Sequence, residues 1–373
     1  KGSGVAINCG WRGQKALRGI FRRTHYVNRV TLGETTKLPP LDLHMTTAPA
    51  DLPEIPHLDV GDAGPMAIIE ADPERFQSIL ASGLDHYGAA ALSYGDALSR
   101  KWLMRNANPR LQEIEAFAAR AERPGAYLLN LSYEWTCTTS TGADPSGTGN
   151  RMLRTLDWPL DGLGRHVVAA KMNGAAGPYE NVTWPGFAGV VTAMAPGRFS
   201  AAINQPPMRR WSASCWLDWG INRIRLWRRR ALPPVHLLRQ VFETCANYAE
   251  ARRVLVETPL SMPAFFTLSG MAPDEGCVVE RDEDHAHVRA APASVANHWI
   301  AGETPGRARG VDSRGRYALM ETLRDSSGDD FLWVQPPILN ATTRLAVIAN
   351  AAASKLIVQG WEETGPATAV FSL

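Results

Sequence analysis

The sequence predicts an α+β fold built in layers. Helical patterns cluster in the first third of the chain and again near its middle, and strand-like runs fall in groups between and after them. Neither a strand–helix–strand alternation nor an internal repeat is present. With 373 residues, 45% hydrophobic and 20% charged, the chain can bury a large core, which excludes disordered, collagen-like and coiled-coil classes.

Taken in order, residues 1–66 are rich in turns and proline, with strand-like pieces such as Tyr26–Leu32. Asp72-Pro73-Glu74 predicts a helix start: an Asp N-cap, Pro at the first position and an acid in the first turn. That helix runs to about Ala81, with Phe76, Ile79 and Leu80 facing inward. Helical tracts follow over 95–106 and 109–122. The second has Leu111, Ile114, Phe117 and Ala118 at helical spacing and is stopped by Pro124 and Gly125. Residues 126–135, AYLLNLSYEW, read as a strand. From Cys137 the pattern is strand, turn over 142–149, strand. Strands are expected at 164–170, 189–194 and 199–204. A helix spans 235–245, and Asn247 with Glu250 forms a capping box that starts another. The last third returns to strands at 264–269, 276–280, 344–349 and 355–359.

Global charge says little about partners, since 39 basic against 37 acidic residues leave +2. The apolar tracts at 190–202 and 345–358 are interrupted by Pro196 and Arg198 or by Lys355, so no membrane span is predicted. Five scattered cysteines form neither a disulfide framework nor a zinc pattern. They predict a reducing, cytoplasmic setting with no metal or cofactor. The chain begins with Lys1, so residues preceding it are expected. Asn130, Asn181 and Asn340 open Asn-x-Ser/Thr triplets, which matter only in a secreted protein.

The sequence holds no phosphate-binding glycine loop, dinucleotide fingerprint, HExxH or GxSxG, and its nine His are scattered. What remains is Cys137. A turn between the strands on either side of 142–149 brings Arg154 and Asp157 back towards it. A guanidinium favours the nucleophilic thiolate, and a carboxylate can orient a proton-accepting amine. The competing reading is a buried thiol beside an ordinary ion pair.

The stretch LLNLSYEWTCTTS followed by NRMLRTLDW resembles the processing junction of the acid ceramidase and N-acylethanolamine acid amidase family. These are cysteine N-terminal-nucleophile hydrolases related to choloylglycine hydrolases. Tyr133-Glu134, Cys137-Thr138-Thr139 and Arg154-Thr155-Leu156-Asp157 carry the likeness, with Thr155-Leu156 departing from the usual Asn. WPGFAGVVTAMAPGRFSAAIN (184–204), the helical ANYAEARRVL, GCVVERD (276–282) and the tract from Asn297 to Asp312-Ser313-Arg314 follow in family order.

The resemblance implies a four-layer αββα sandwich with antiparallel sheets. It also implies autocatalytic cleavage between Thr136 and Cys137. That would give a helical 1–136 piece packed on a 137–373 piece as an α/β heterodimer. A freed α-amine has a reference pKa of about 7.7–8.0 and serves as general base, so no His triad is needed. Carried over, Cys137 attacks the amide, Asp157 holds the amine and Arg154 supports the thiolate. The NH₂ of Asn297 donates to the oxyanion, with Asn204 as a second polar contributor or a strand-end turn residue. Arg314 matches the family's late Arg, with Arg316 as its competitor. The 17 positions from Asn297 to Arg314, with a Gly-Pro-Arg tract between them, depart from the family pattern.

Residues 209–230, RRWSASCWLDWGINRIRLWRRR, hold seven Arg, one Asp and four Trp, a local 7 − 1 = +6. Such a segment suits a membrane-surface or lipid contact through Trp216, Trp219 and Trp227, or a helix with Trp packed inward and Arg snorkelling outward. Nucleic acid is the weakest of the readings. Trp11 to Arg23 makes a second, sparser segment of this kind. The resulting expectation is a self-processing hydrolase of linear N-acyl amides, N-acylethanolamine-like or ceramide-like. A penicillin-acyltransferase-type transferase and a non-catalytic lipid-binding protein are its rivals.

Overall fold

The computed structural model describes residues 52–302 and 304–373. The expected strand at Tyr26–Leu32 and the basic segment at Trp11–Arg23 lie outside the described residues.

The chain starts with strand β1 (His57–Gly61) and five helices: α1 (Pro65–Ala71), α2 (Pro73–Tyr87), α3 (Ala89–Arg105), α4 (Leu111–Arg120) and α5 (Ala126–Leu131). The Asp72 cap is real: its carboxylate accepts from the Arg75 amide at 2.9 Å, and Phe76, Ile79 and Leu80 are buried. Residues 126–131 correct the strand reading. Asp96 on α3 accepts amide hydrogen bonds from Gly125, Tyr127 and Leu128, capping a short helix that strand propensity alone would not produce. Asn130 then ties α5 down, with bonds to the backbone of Gly186 and Ala188.

The hairpin β2 (Thr136–Ala143) and β3 (Asn150–Asp157) comes next, then β4 (Val168–Gly174), β5 (Gly177–Thr183), β6 (Thr192–Ala195), β7 (Phe199–Asn204) and β8 (Met208–Arg209). The strand expected at 164–170 is a 3₁₀ turn over 163–166 followed by β4. Gly164 crosses Trp361 so closely that a Cβ there would lie 1.9 Å from the Trp361 carbonyl. Helices α6 (Cys215–Arg228), α7 (Pro234–Thr244) and α8 (Tyr248–Glu257) follow. Asn247 caps α8 through the Glu250 amide at 2.9 Å. The chain ends with β9 (Ala264–Ser269), β10 (Gly276–Arg281), β11 (Ala286–Ala290), β12 (Ala293–Val295), β13 (Gly306–Arg307), α9 (Ser313–Leu323), β14 (Thr343–Asn350), β15 (Lys355–Glu362), β16 (Gly365–Pro366) and β17 (Phe371–Ser372).

Two sheets organise the molecule. One runs β1-β4-β5-β6-β7-β9-β10-β11, antiparallel except for the parallel β1–β4 pair. The other runs β12-β2-β3-β14-β15-β16, with β17 also paired to β15. Strands β2 and β3 face β7 and β9 across the sheet interface. Helices α7 and α8 cover the first sheet from outside, and α9 covers β2 and β12 of the second. The result is the αββα sandwich, with α1–α5 as an added helical layer. Among the described residues no helix is long and apolar enough to cross a membrane.

Candidate active site

Cys137 is the second residue of β2, wholly buried between the two sheets. The β2–β3 register pairs Thr139 with Arg154 and Thr136 with Asp157. Side chains alternate along strands, so Arg154 lies diagonally across from Cys137 on the same face. Its Nη2 donates to Cys137 Sγ at 3.2 Å and its Nη1 to the Ile203 carbonyl at 2.8 Å. Burial pushes the thiol up to about 11, with Arg154 opposing, Asp157 reinforcing and Arg316 opposing. Uncleaved, Cys137 is a protonated thiol at neutral pH.

The other end of Cys137 is held as firmly. Its amide donates to Asn297 Oδ1 at 3.0 Å, and Arg316 Nη2 donates to the same oxygen at 2.7 Å. Asn297 Nδ2 donates to the Gln205 carbonyl at 2.7 Å. Flipping the amide would set its NH₂ against two donors, so this orientation is fixed by its partners. Asn297 therefore presents an acceptor to the Cys137 nitrogen, where an oxyanion donor was expected.

Asp157 does not bond the Cys137 nitrogen. It accepts from Asn340 Nδ2 and Thr343 Oγ1, each at 3.0 Å, and from Thr136 Oγ1 at 3.4 Å, with Arg316 Nη1 at 3.7 Å. Burial raises its pKa, and Arg316 is the leading opposing influence.

Arg314 is a correction. It is exposed, while Arg316 is fully buried in the cluster. Asp312 caps α9 and Ser313 accepts from the Asn297 amide at 2.8 Å. Residues three apart share a helix face, so Arg316 follows Ser313 inward. Arg314 sits about 200° of helical rotation from Arg316. Arg316 Nη1 also donates to the Cys137 carbonyl at 2.7 Å and to Thr138 Oγ1 at 2.8 Å.

Asn204 lies in the cluster with its side chain committed. It accepts from Thr139 Oγ1 at 2.7 Å and donates to the Val295 and Ala296 carbonyls, steadying the segment that leads into Asn297. Asn340, visible in the sequence only within a glycosylation-type triplet, is an Asp157 partner. No spacing signal links it to Cys137, because it arrives through the turn before β14.

Two adjoining cavities, of about 170 and 190 Å³, lie beyond residues 131–134, just ahead of the Thr136–Cys137 bond. They share Leu131, Tyr133, Trp219, Leu226 and Met262 among their walls. Trp219 and Trp227 line cavity wall, whereas Trp216 is 61% exposed on the outside of α6. The three tryptophans thus do not form one surface.

No family model matches the chain. Acid ceramidase of Bos taurus is 31% identical over 107 residues, which is 28% of this chain and 25% of that protein. The Macaca fascicularis and Homo sapiens acid ceramidases are 34% and 31% identical over 104 residues, with the same coverage. The chain spans about a quarter of the length of the curated relatives it matches. Among solved structures, a Caenorhabditis elegans N-acylethanolamine-hydrolyzing acid amidase ortholog is 19% identical, with TM-score 0.45, covering 57% of this chain and 93% of that one. A conjugated bile acid hydrolase from Clostridium perfringens is 10% identical, with TM-score 0.38, covering 64% and 92%. Over the matched stretch the chain is similar to acid ceramidases.

Proposed function

We propose that the chain is a self-processing cysteine amidohydrolase acting on linear N-acyl amides. The observation that carries this reading is Cys137 at the start of β2, with Arg154 at its sulfur, Asn297 at its nitrogen and an apolar cavity behind the preceding segment.

In the uncleaved chain, Sγ attacks the Thr136 carbonyl carbon. The C–N bond breaks, the Cys137 nitrogen takes the thiol proton, and water hydrolyses the resulting thioester. The products are a Thr136 carboxylate and an α-amine on Cys137. Tyr133, at φ 47, holds a left-handed conformation costly for an aromatic residue. Cutting three residues later would release it. Residues 131–134 form wall between cavity and cysteine, so cutting frees one end of that wall.

In the cleaved protein the α-amine, oriented by Asn297 Oδ1, takes the thiol proton. Arg154 favours the thiolate against the cost of burial. The acyl group passes to sulfur, the amine leaves with the proton, and water then releases the acid. The acyl chain runs along Trp219, Leu226 and Met262, each buried CH₂ contributing about 0.8 kcal/mol. Trp216, Leu217 and Ile224 on α6 and Tyr94, Leu98 and Met104 on α3 are exposed, which supports a lipid surface as the place of substrate entry.

The test is intact mass under denaturing conditions, paired with release of fatty acid from an N-acylethanolamine. Two fragments, the second starting at Cys137, with a Cys137→Ala chain that stays whole and inactive, are the expected result. A chain that never splits and never yields acid would refute the proposal.

A further inference from the structure

The cavity walled by residues 131–134 has two guanidinium groups with donors free of protein partners, a half-buried Arg309 and a solvent-exposed Arg223. Arg309 lies in the Gly-Pro-Arg tract that departs from the family pattern. Its Nε donates to the Pro206 carbonyl at 2.9 Å and its Nη1 to the Tyr133 carbonyl at 3.2 Å. Its Nη2 has no hydrogen bond among the described residues. Arg223, on α6, lines both cavities, lies 5.3 Å from the Trp219 ring and makes no hydrogen bond among the described residues. No carboxylate lies within 4.0 Å of either group among the described residues.

The neighbouring arginines are otherwise engaged. Arg307 pairs with Asp218 at 2.7 Å. Arg209 and Arg225 both reach Glu283, at 3.8 and 3.6 Å. Glu134 also lines this cavity: it accepts from Tyr87 Oη at 2.9 Å, and its charge acts on both guanidiniums from beyond ion-pair distance. Arg309 and Arg223 lie close enough to repel. Burial brings the Arg309 pKa down to about 10, Glu134 opposing, and Arg223 lowers it further. Arg309 also lies near enough to Cys137 to interact with a thiolate formed there. An anion between the two guanidiniums would relieve this repulsion and take up their free donors with charge-assisted hydrogen bonds.

We infer that the preferred substrates are N-acyl amino acids, whose amine-side carboxylate is bound by Arg309 and Arg223 while the acyl chain fills the apolar cavity. This rests on the amidohydrolase reading and narrows its substrate class. A carboxylate one carbon from the scissile nitrogen stays on the Cys137 side, where Arg309 is, with Arg223 next to it, whereas an ethanolamide offers only a neutral hydroxyl.

Calorimetric titration of the full-length Cys137→Ala chain, which leaves the amide intact, tests this. The probes are N-dodecanoylglycine and N-dodecanoylethanolamine. The glycine conjugate is expected to bind at least about tenfold tighter at low salt, as two charge-assisted contacts warrant. That advantage should shrink at high ionic strength. Arg309→Gln and Arg223→Gln should each reduce the ratio of the two affinities several-fold, while Arg223→Lys retains more of it. Circular dichroism checks that each variant is folded. Equal affinities, or an advantage that survives both glutamine substitutions, would overturn the inference. A wild-type chain that releases acid from neither conjugate, while Cys137→Ala binds the glycine conjugate preferentially, would sink the amidase reading and leave the anion preference standing.

Discussion

Beside Cys137, Arg154 and Arg316 have no solvent exposure and are held by fixed partners, whereas Arg223 and Arg309 along the cavity wall keep donors unspent. The two regions use one side-chain type for opposite purposes. Around the cysteine the chain supplies nearly all the acceptors itself, Arg154 Nε being the one guanidinium nitrogen of the pair left without a partner, so the geometry is largely set before any ligand arrives. In the cavity the acceptors are left to the ligand. A reaction centre needs the first arrangement and a receptor the second.

The comparison breaks most decisively at Arg316. Arg316→Met removes bonds to the Cys137 carbonyl, Thr138 and Asn297 and leaves Asp157 buried without its cation. A chain that neither splits nor hydrolyses amides is expected, with about 3–5 kcal/mol less stability in denaturant titration. Arg223→Met on the cavity side should stay within about 0.5 kcal/mol. Next in size is Asn297→Ala. If its oxygen orients the Cys137 amine, kcat of the cleaved enzyme falls about 10²-fold with KM little changed. A raised KM with kcat intact would move Asn297 from the reaction centre to substrate binding.

His236, on α7, carries the rule to its limit, as a fully buried ring with neither nitrogen hydrogen-bonded. Burial, with Arg110 and Arg239 close by, pushes its pKa down to about 3. A folded pKa below the unfolded one contributes stability above about pH 6.5 that is lost as pH falls towards 3. Melting temperature should therefore drop through that window, and His236→Phe should flatten the drop. An unchanged slope would mean that the ring finds a proton acceptor on protonation.

How much of this was legible in sequence follows the range of the interactions. The β2–β3 hairpin was, because a Gly, Asp, Pro and Ser turn fixes which residues return to Cys137, and Arg154 and Asp157 follow from it. The caps at Asp72 and Asn247 are local and were readable too. Helix α5 was not, since its capping carboxylate, Asp96, comes from a different helix. The choice between Arg314 and Arg316 turned on the phase of α9, which Ser313 sets through the Asn297 backbone. Asn340 was invisible for a similar reason: its contact with Asp157 spans 183 positions.

The smallest effects separate cavity wall from outer surface within one helix. Trp219 lines both cavities and Trp216 stands 61% exposed one turn earlier. Trp219→Ala deletes apolar wall worth about 1–2 kcal/mol to a long acyl chain, so kcat/KM should fall about tenfold for a long chain and less for a short one. Trp216→Ala should change neither value in detergent-free monomeric substrate by more than about twofold. It should nevertheless weaken binding to lipid vesicles, because an exposed indole belongs at an interface. Equal losses in both variants would mean that α6 acts as a single lipid-facing surface, and the distinction between wall and surface would fall.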